Sequence, residues 1–122
     1  MSKILTVCWQ GLCRSVGLAD VLKLHFEPVD VLPAGVAETA NSTETLEMLC
    51  TWADHIVCMQ EGLLQQLKNR LPNMNLDTKL LLCDVGSDTY HNSKHPLLID
   101  QVWRWARENS ETLHITEHNK RL

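Results

Sequence analysis

The sequence predicts an α/β protein, a doubly wound three-layer sandwich around a four-stranded parallel sheet, with a glycine-containing loop between the first strand and the first helix. Two observations carry the fold. Short, nearly continuous apolar runs recur along the chain, as strands buried on both faces read, and each gives way to apolar residues at helical spacing. Lys3-Ile-Leu-Thr-Val7 is the first strand, and Val16, Leu18, Ala19, Val21, Leu22 and Leu24 mark a helix running to Phe26, with Pro28 as its stop. Val29-Asp-Val-Leu32 is a second short strand ahead of Pro33-Ala-Gly35. Asn41-Ser-Thr-Glu44 supplies capping residues for a helix carrying Leu46, Leu49, Cys50 and Ala53. Asp54-His-Ile-Val-Cys-Met59 is the third strand, Gly62 to Leu71 a helix ended by Pro72, and Thr78-Lys-Leu-Leu-Leu-Cys83 the fourth strand. A polar loop from Asp84 to His95 leads to Pro96, which opens a last helix with Leu97, Leu98, Val102, Trp103, Trp105 and Ala106. Domain-sized sequences of 122 residues hold one core, so the expectation is a single domain spanning 1–122.

Composition narrows the partners. A formal charge of −4 lacks the broad basic surface that nucleic acid or an acidic membrane requires, so an anionic substrate needs a local positive site. Neither a membrane span of about 18 apolar residues nor a secretory segment is present, which leads to the expectation of a cytoplasmic protein. Five cysteines, an odd number, fit reduced thiols better than a disulfide framework. The oligomeric state has no signature here.

In such a fold, ligands sit beyond the carboxyl ends of the strands, and two polar loops follow strands directly: Val7 to Ser15, and the loop beginning at Asp84. The first reads Cys8-Trp9-Gln10-Gly11-Leu12-Cys13-Arg14-Ser15, a C-x5-R-S pattern between a strand and a helix. A loop of this length can curl so that successive N–H groups form a nest for a tetrahedral oxyanion at the positive end of the helix. Arg14 can clasp two phosphate oxygens bidentately, and the same field favours the thiolate of a cysteine at the loop's start. Ser15 is placed to hydrogen-bond that thiolate, and Gly11 lets the curl adopt positive φ. Together these parts describe attack by Cys8 on phosphorus through a phospho-cysteine intermediate. A general acid at the mouth of the site is then required. Asp84 is the first candidate and Asp88 the alternative, whereas Asp54 belongs at the opposite end of the sheet.

Other readings fit less well. No Gly-Lys-Ser/Thr is present for a nucleotide-binding P-loop, and Cys8 and Cys13 lack C-x2-C zinc spacing. His91/His95 and His114/His118 are four apart, as exposed histidines near helix ends also are, so no metal or cofactor is expected. Cys50, Cys58 and Cys83 read as buried small apolar residues.

With these residues in view, the chain resembles the low-molecular-weight protein tyrosine phosphatases, particularly their shortened microbial members. The resemblance covers Ile4 to Ser15, the Leu32-Pro-Ala-Gly35 turn, Trp52-Ala-Asp-His-Ile-Val-Cys-Met59 and Leu81-Leu-Cys-Asp84. It implies a metal-free mechanism with Cys8 as nucleophile, Arg14 as phosphate clamp, Ser15 as thiolate stabiliser and Asp84 as acid and then base. Residues Trp9, Gln10, Gly11, Leu12 and Cys13 then form the phosphate-binding loop. Departures are equally specific. Gly11 stands where the family has Asn, and either can hold a left-handed backbone. Asp84 is followed by Val85-Gly86 rather than by Pro and aromatics, which places the acid less rigidly and removes the usual aromatic wall; Trp9 and Tyr90 are the candidate replacements. Leu12 is aliphatic, like the Ile of tyrosine-directed members rather than the Thr of phosphoarginine-directed ones. Cys13 matches a loop cysteine that in the family can pair reversibly with the nucleophile, and packing filler is the alternative role. The expected function is hydrolysis of a phosphomonoester, either phosphotyrosine on a protein or a small aryl phosphate. The alternatives are a thioredoxin-coupled arsenate reductase, which needs relay cysteines such as Cys58 and Cys83, and a phosphate-binding regulatory module with weak catalysis.

Overall fold

The computed structural model describes residues 1–86, 89–90 and 92–118. Its main sheet holds β1 (Ser2–Cys8), β3 (Val29–Gly35), β4 (His55–Cys58) and β5 (Leu80–Leu82), all parallel, in the spatial order β3-β1-β4-β5. The helices are α1 (Arg14–His25), α2 (Thr43–Trp52), α3 (Glu61–Arg70), α4 (Pro96–Glu108) and the short α5 (Ser110–Leu113). A two-stranded antiparallel ribbon, β2 (Phe26–Glu27) with β6 (Thr116–Glu117), lies apart from the sheet. The α/β class and the four-stranded parallel sheet agree with the sequence reading.

Burial explains why β1 is central. Ile4, Leu5 and Val7 are fully buried, as a strand covered by helices on both faces must be. Thr6 joins them because its hydroxyl donates to the Ser15 carbonyl at 2.8 Å, tying the strand to the first turn of α1. From β1 the chain passes to β3 on one side and then crosses to β4 on the other. The order therefore reverses between β1 and β4, and the crevice at their carboxyl ends is the topological switch point. Cys8 ends β1 there, and Gln60 follows β4 there.

Element boundaries shift where backbone pairing overrides local signals. The second predicted strand stops at Leu32, yet β3 runs on to Gly35, pairing Thr6 with Pro33 and Cys8 with Gly35. A proline is tolerated because β3 is an edge strand with no ladder partner on its outer side. The fourth strand is shorter than predicted: the amides of Lys79 and Leu80 both turn back onto the Leu76 carbonyl, so pairing begins later. Helix α1 ends at His25, ahead of Pro28, because Phe26 and Glu27 pair with the C-terminal ribbon strand. Helix α2 starts as expected, with the Ser42 hydroxyl accepting from the Thr45 amide at 3.1 Å. Asp54 lies at the amino ends of the strands, where its carboxylate accepts from the Lys3 amide at 3.0 Å. Among the described residues no helix is long and apolar enough to cross a membrane.

Candidate active site

The loop from Trp9 to Cys13 leaves β1 at the switch point and returns into α1, whose first residues are Arg14 and Ser15. Gly11 adopts φ +75°, the left-handed region that the curl requires. Its amide then points at the start of the loop and donates to the Cys8 Sγ at 3.2 Å. Ser15 Oγ lies 3.1 Å from the same sulfur. A donating amide and a hydroxyl able to donate thus converge on Cys8, an arrangement that can serve a thiolate.

Close packing holds the curl in place. A Cβ on Gly11 would stand 2.7 Å from the Gly35 amide nitrogen and 2.8 Å from the Ala34 carbonyl carbon. A Cβ on Gly35 would meet the Gln10 carbonyl carbon at 2.4 Å, so the two backbones touch at glycines on both sides. Hydrogen bonds fix that contact: the Val36 amide donates to the Cys8 carbonyl, the Ala37 amide to the Trp9 carbonyl, and the Gly35 amide to Asn41 Oδ1. The Leu32-Pro-Ala-Gly35 segment is therefore a support for the loop from Trp9 to Cys13.

Arg14 is buried, and its guanidinium reaches across the crevice. Nη1 donates to Gln60 Oε1 at 2.8 Å and to the Gly86 carbonyl at 2.7 Å. One side chain thus joins the Cys8-to-Ser15 loop to the residue before α3 and to the loop after β5. A hollow of about 330 Å³ opens beside it, lined by Trp9, Arg14, Gln60, Gly62, Leu63 and Gln66. Trp9 is 44% exposed and Leu12 is 76% exposed, large apolar side chains at the loop of a buried arginine. The structure thus brings Cys8, Gly11, Arg14 and Ser15 together and sets Trp9 beside Arg14. Gln10 lies at the exposed rim with its amide 3.4 Å from Thr39 Oγ1, and Cys13, half-buried, occupies the cap position of α1.

The Asp84 loop is near but distinct. The Asp84 carboxylate is exposed, and its Oδ1 accepts from the Gly86 amide at 3.0 Å. Asp84 lines a second hollow of about 460 Å³, with Cys83, Val85 and the α4 residues Gln101, Arg104 and Trp105. The hydrogen bond from Arg14 to Gly86 joins this loop to the first hollow. Tyr90 is half-buried, with its hydroxyl bonded within its own loop and its ring edge-on to His95 at 5.5 Å between centroids. Asp88 and His91 lie outside the described residues.

Three thiols, Cys50, Cys58 and Cys83, are buried. Burial pushes Cys58 and Cys83 up to about 12 and Cys50 up to about 11, so all three are neutral at pH 7. Among the described residues no group of three or more His, Cys, Asp or Glu is placed to hold a metal ion. His118 Nδ1 instead pairs with Glu27 Oε1 at 2.9 Å.

This arrangement of sheet and helices is shared with solved structures. The chain superposes on the low-molecular-weight protein tyrosine phosphatase from Streptococcus pyogenes with a TM-score of 0.73 over 93% of each chain, at 16% identity. The fold is that of the low-molecular-weight protein tyrosine phosphatases. Wzb from Vibrio vulnificus, in complex with benzylphosphonate, matches at a TM-score of 0.58 and 23% identity over 88% of this chain and 98% of its own. The YwlE arginine phosphatase from Geobacillus stearothermophilus matches at 0.60 and 20% identity over 98% of this chain and all of its own, 100%. Neither a family model nor a curated protein matches the sequence.

Sequence reasoning overlooked three members of the crevice described above: Gln60, Asn41 and the Gly86 carbonyl. Gln60 had a usable signal, because it directly follows the predicted strand Asp54 to Met59, whose carboxyl end completes the switch point. The other two act through backbone groups or support them, and carry no pattern of their own.

Proposed function

We propose that the protein hydrolyses phosphomonoesters, with phosphotyrosine on a protein or a small aryl phosphate as substrate, through a phospho-cysteine intermediate on Cys8. The observation that carries the reading is the convergence of the Gly11 amide and the Ser15 hydroxyl on the Cys8 sulfur, beside the buried Arg14. In the first step the Cys8 thiolate attacks phosphorus and the P–O bond to the leaving group breaks, while Asp84 delivers its proton to the departing oxygen. In the second step the Asp84 carboxylate takes a proton from water, the water oxygen bonds to phosphorus, and the S–P bond breaks. The nest of loop amides and the Arg14 guanidinium stabilise the equatorial oxygens throughout. Trp9 and Leu12, exposed at the loop, support an aryl or otherwise apolar leaving group. The fold shared with a tyrosine phosphatase and an arginine phosphatase supports the same chemistry.

The test is turnover of p-nitrophenyl phosphate in the presence of a chelator. Vanadate-sensitive activity is expected, with none in Cys8→Ser; unchanged turnover in that variant overturns the mechanism. Asp84→Asn is expected to lower kcat by about 10²-fold or more, the usual contribution of a general acid. The same loss in Asp88→Asn alone would move the role to that residue.

A second reading is a phosphate-binding regulatory module with weak catalysis. It is favoured by the position of Asp84, which lines a hollow other than the one beside Trp9 and Arg14. Phosphopeptide binding without phenol release would decide for it. The neutral, buried Cys58 and Cys83 speak against a thiol relay for arsenate reduction, since attack on a disulfide requires a thiolate.

A further inference from the structure

The Asp84 segment lacks the proline that follows the acid in the family it resembles, yet its backbone is fixed at successive points. The Val85 amide donates to the Met59 carbonyl at 3.1 Å, continuing the β4–β5 ladder past the end of β5. The Val85 carbonyl accepts from the Tyr90 hydroxyl at 2.8 Å. Gly86 uses both its backbone groups, donating to Asp84 Oδ1 at 3.0 Å and accepting from Arg14 Nη1 at 2.7 Å. Of these contacts, the one that reaches from this loop to α4 is made by Tyr90. Its hydroxyl also accepts from Gln101 Nε2 at 3.0 Å, and its ring stands edge-on to His95, the cap residue of α4. Gln101 sits on a helix of 13 residues packed against α1, so this side of the clamp rests on a rigid element.

We propose that Tyr90, with Gln101 behind it, is a positioning residue for the general acid: its hydroxyl anchors the Val85 peptide and so sets where the neighbouring Asp84 carboxyl stands relative to the anion loop. The proposal rests on the phosphatase reading above, with Asp84 as acid. It gives Tyr90 a task different from forming the wall of the substrate slot. The hydroxyl, which no substrate need touch, becomes the part that matters, while the ring serves as a spacer against His95. A looser carboxyl costs most where proton delivery matters most, that is, for leaving groups that depart poorly as anions. A good leaving group needs little help, and its rate should pass through unchanged.

The experiment compares kcat/KM for phenyl phosphate, p-nitrophenyl phosphate and 2,4-dinitrophenyl phosphate in the wild-type chain, Tyr90→Phe and Gln101→Leu. The specificity constant is chosen because it reports formation of the phospho-cysteine, the step that depends on the leaving group. For Tyr90→Phe, a loss of about tenfold is expected with phenyl phosphate and less than about twofold with dinitrophenyl phosphate, a fraction of the full general-acid contribution. Gln101→Leu is expected to lose in the same order by a smaller factor. An equal loss with all three esters marks a structural role, and an unchanged series marks none; either overturns the proposal. Should Tyr90→Phe fail to fold by thermal melting, the Gln101→Leu series decides alone by the same criteria. An inactive wild-type chain overturns the phosphatase reading instead, so the two failures are distinguishable.

Discussion

At the residue scale, the site depends on two glycines whose hydrogens are its contact surface. Gly11 must both hold φ +75° and leave its Cα bare against the Gly35 amide. Gly11→Ala is therefore expected to cost about 1–3 kcal/mol in urea denaturation, from left-handed strain and an overpacked backbone contact. Because the Gly11 amide also reaches the Cys8 sulfur, the variant should lose phosphate affinity as well. Gly86 differs: it has positive φ but open space around it, so an added methyl there meets strain without a clash. The cysteines divide on equally local grounds. At pH 7, thiol alkylation is expected to spare Cys50, Cys58 and Cys83, since their thiolates form only near pH 11 to 12, and to be confined to Cys8 and Cys13. Peptide mapping of the alkylated protein, with and without phosphate, checks this; phosphate should protect Cys8, and modification of any of the three buried thiols in native protein would refute it.

At the element scale, what the sequence disclosed follows from what each element uses to hold itself. Strand β1 and the loop from Cys8 to Ser15 were legible because buried strands require apolar runs and because Cys8, Gly11, Arg14 and Ser15 are side chains or backbone freedoms with a chemical signature. The ribbon of β2 and β6 was not legible: two residues on each side have no periodicity, and their pairing is a tertiary fact. The extension of β3 through Pro33 was hidden for a similar reason, since only its place at the sheet edge permits it. The Asp84 carboxyl could be named from its position after a strand, but its Val85 and Gly86 anchors are backbone contacts that follow from the fold. Edge strand β5 shows the same dependence on tertiary context. The Trp105 indole donates to the Leu82 carbonyl at 2.8 Å, satisfying a group on the outermost strand next to Asp84. Trp105→Phe keeps most of the packing and removes the donor. It is expected to destabilise by about 1–3 kcal/mol, the cost of a part-buried carbonyl left unpaired, and hydrogen exchange at β5 should rise more than at β1. Equal change in both strands would show that the indole serves the core rather than the edge.

At the scale of the whole molecule, the doubly wound order gathers the reactive groups at the carboxyl ends of the strands and leaves the other ends to structural ties. Two of those ties titrate in acid. The amide of Lys3 holds the Asp54 carboxyl below its ordinary range, with burial opposing and nearby cations assisting. Arg107, then Trp103, hydrogen-bond Glu117 and hold it below its ordinary range as well, fastening β6 to α4. For a carboxyl whose folded value is depressed, the unfolded chain binds the proton first as pH falls. Its stabilising contribution is therefore complete above the unfolded value and is lost as pH drops through the folded one. The contribution of these two carboxyls should thus be complete only well above pH 4.5, the ordinary glutamate value, and should be lost as pH falls through it toward the folded values. Asp54 is solvent-exposed and Glu117 partly so, and the decline attributable to them should therefore shrink at high salt. Urea midpoints measured between neutral and acid pH, for the wild-type chain and for Asp54→Asn and Glu117→Gln, check this. Each variant is expected to be less stable than wild type at pH 7 and to converge on it in acid. Neither residue adjoins Cys8 or Arg14, so the pH dependence of anion binding should stay as in the wild type. A variant whose deficit persists undiminished in acid would show that the side chain contributes by packing rather than by charge.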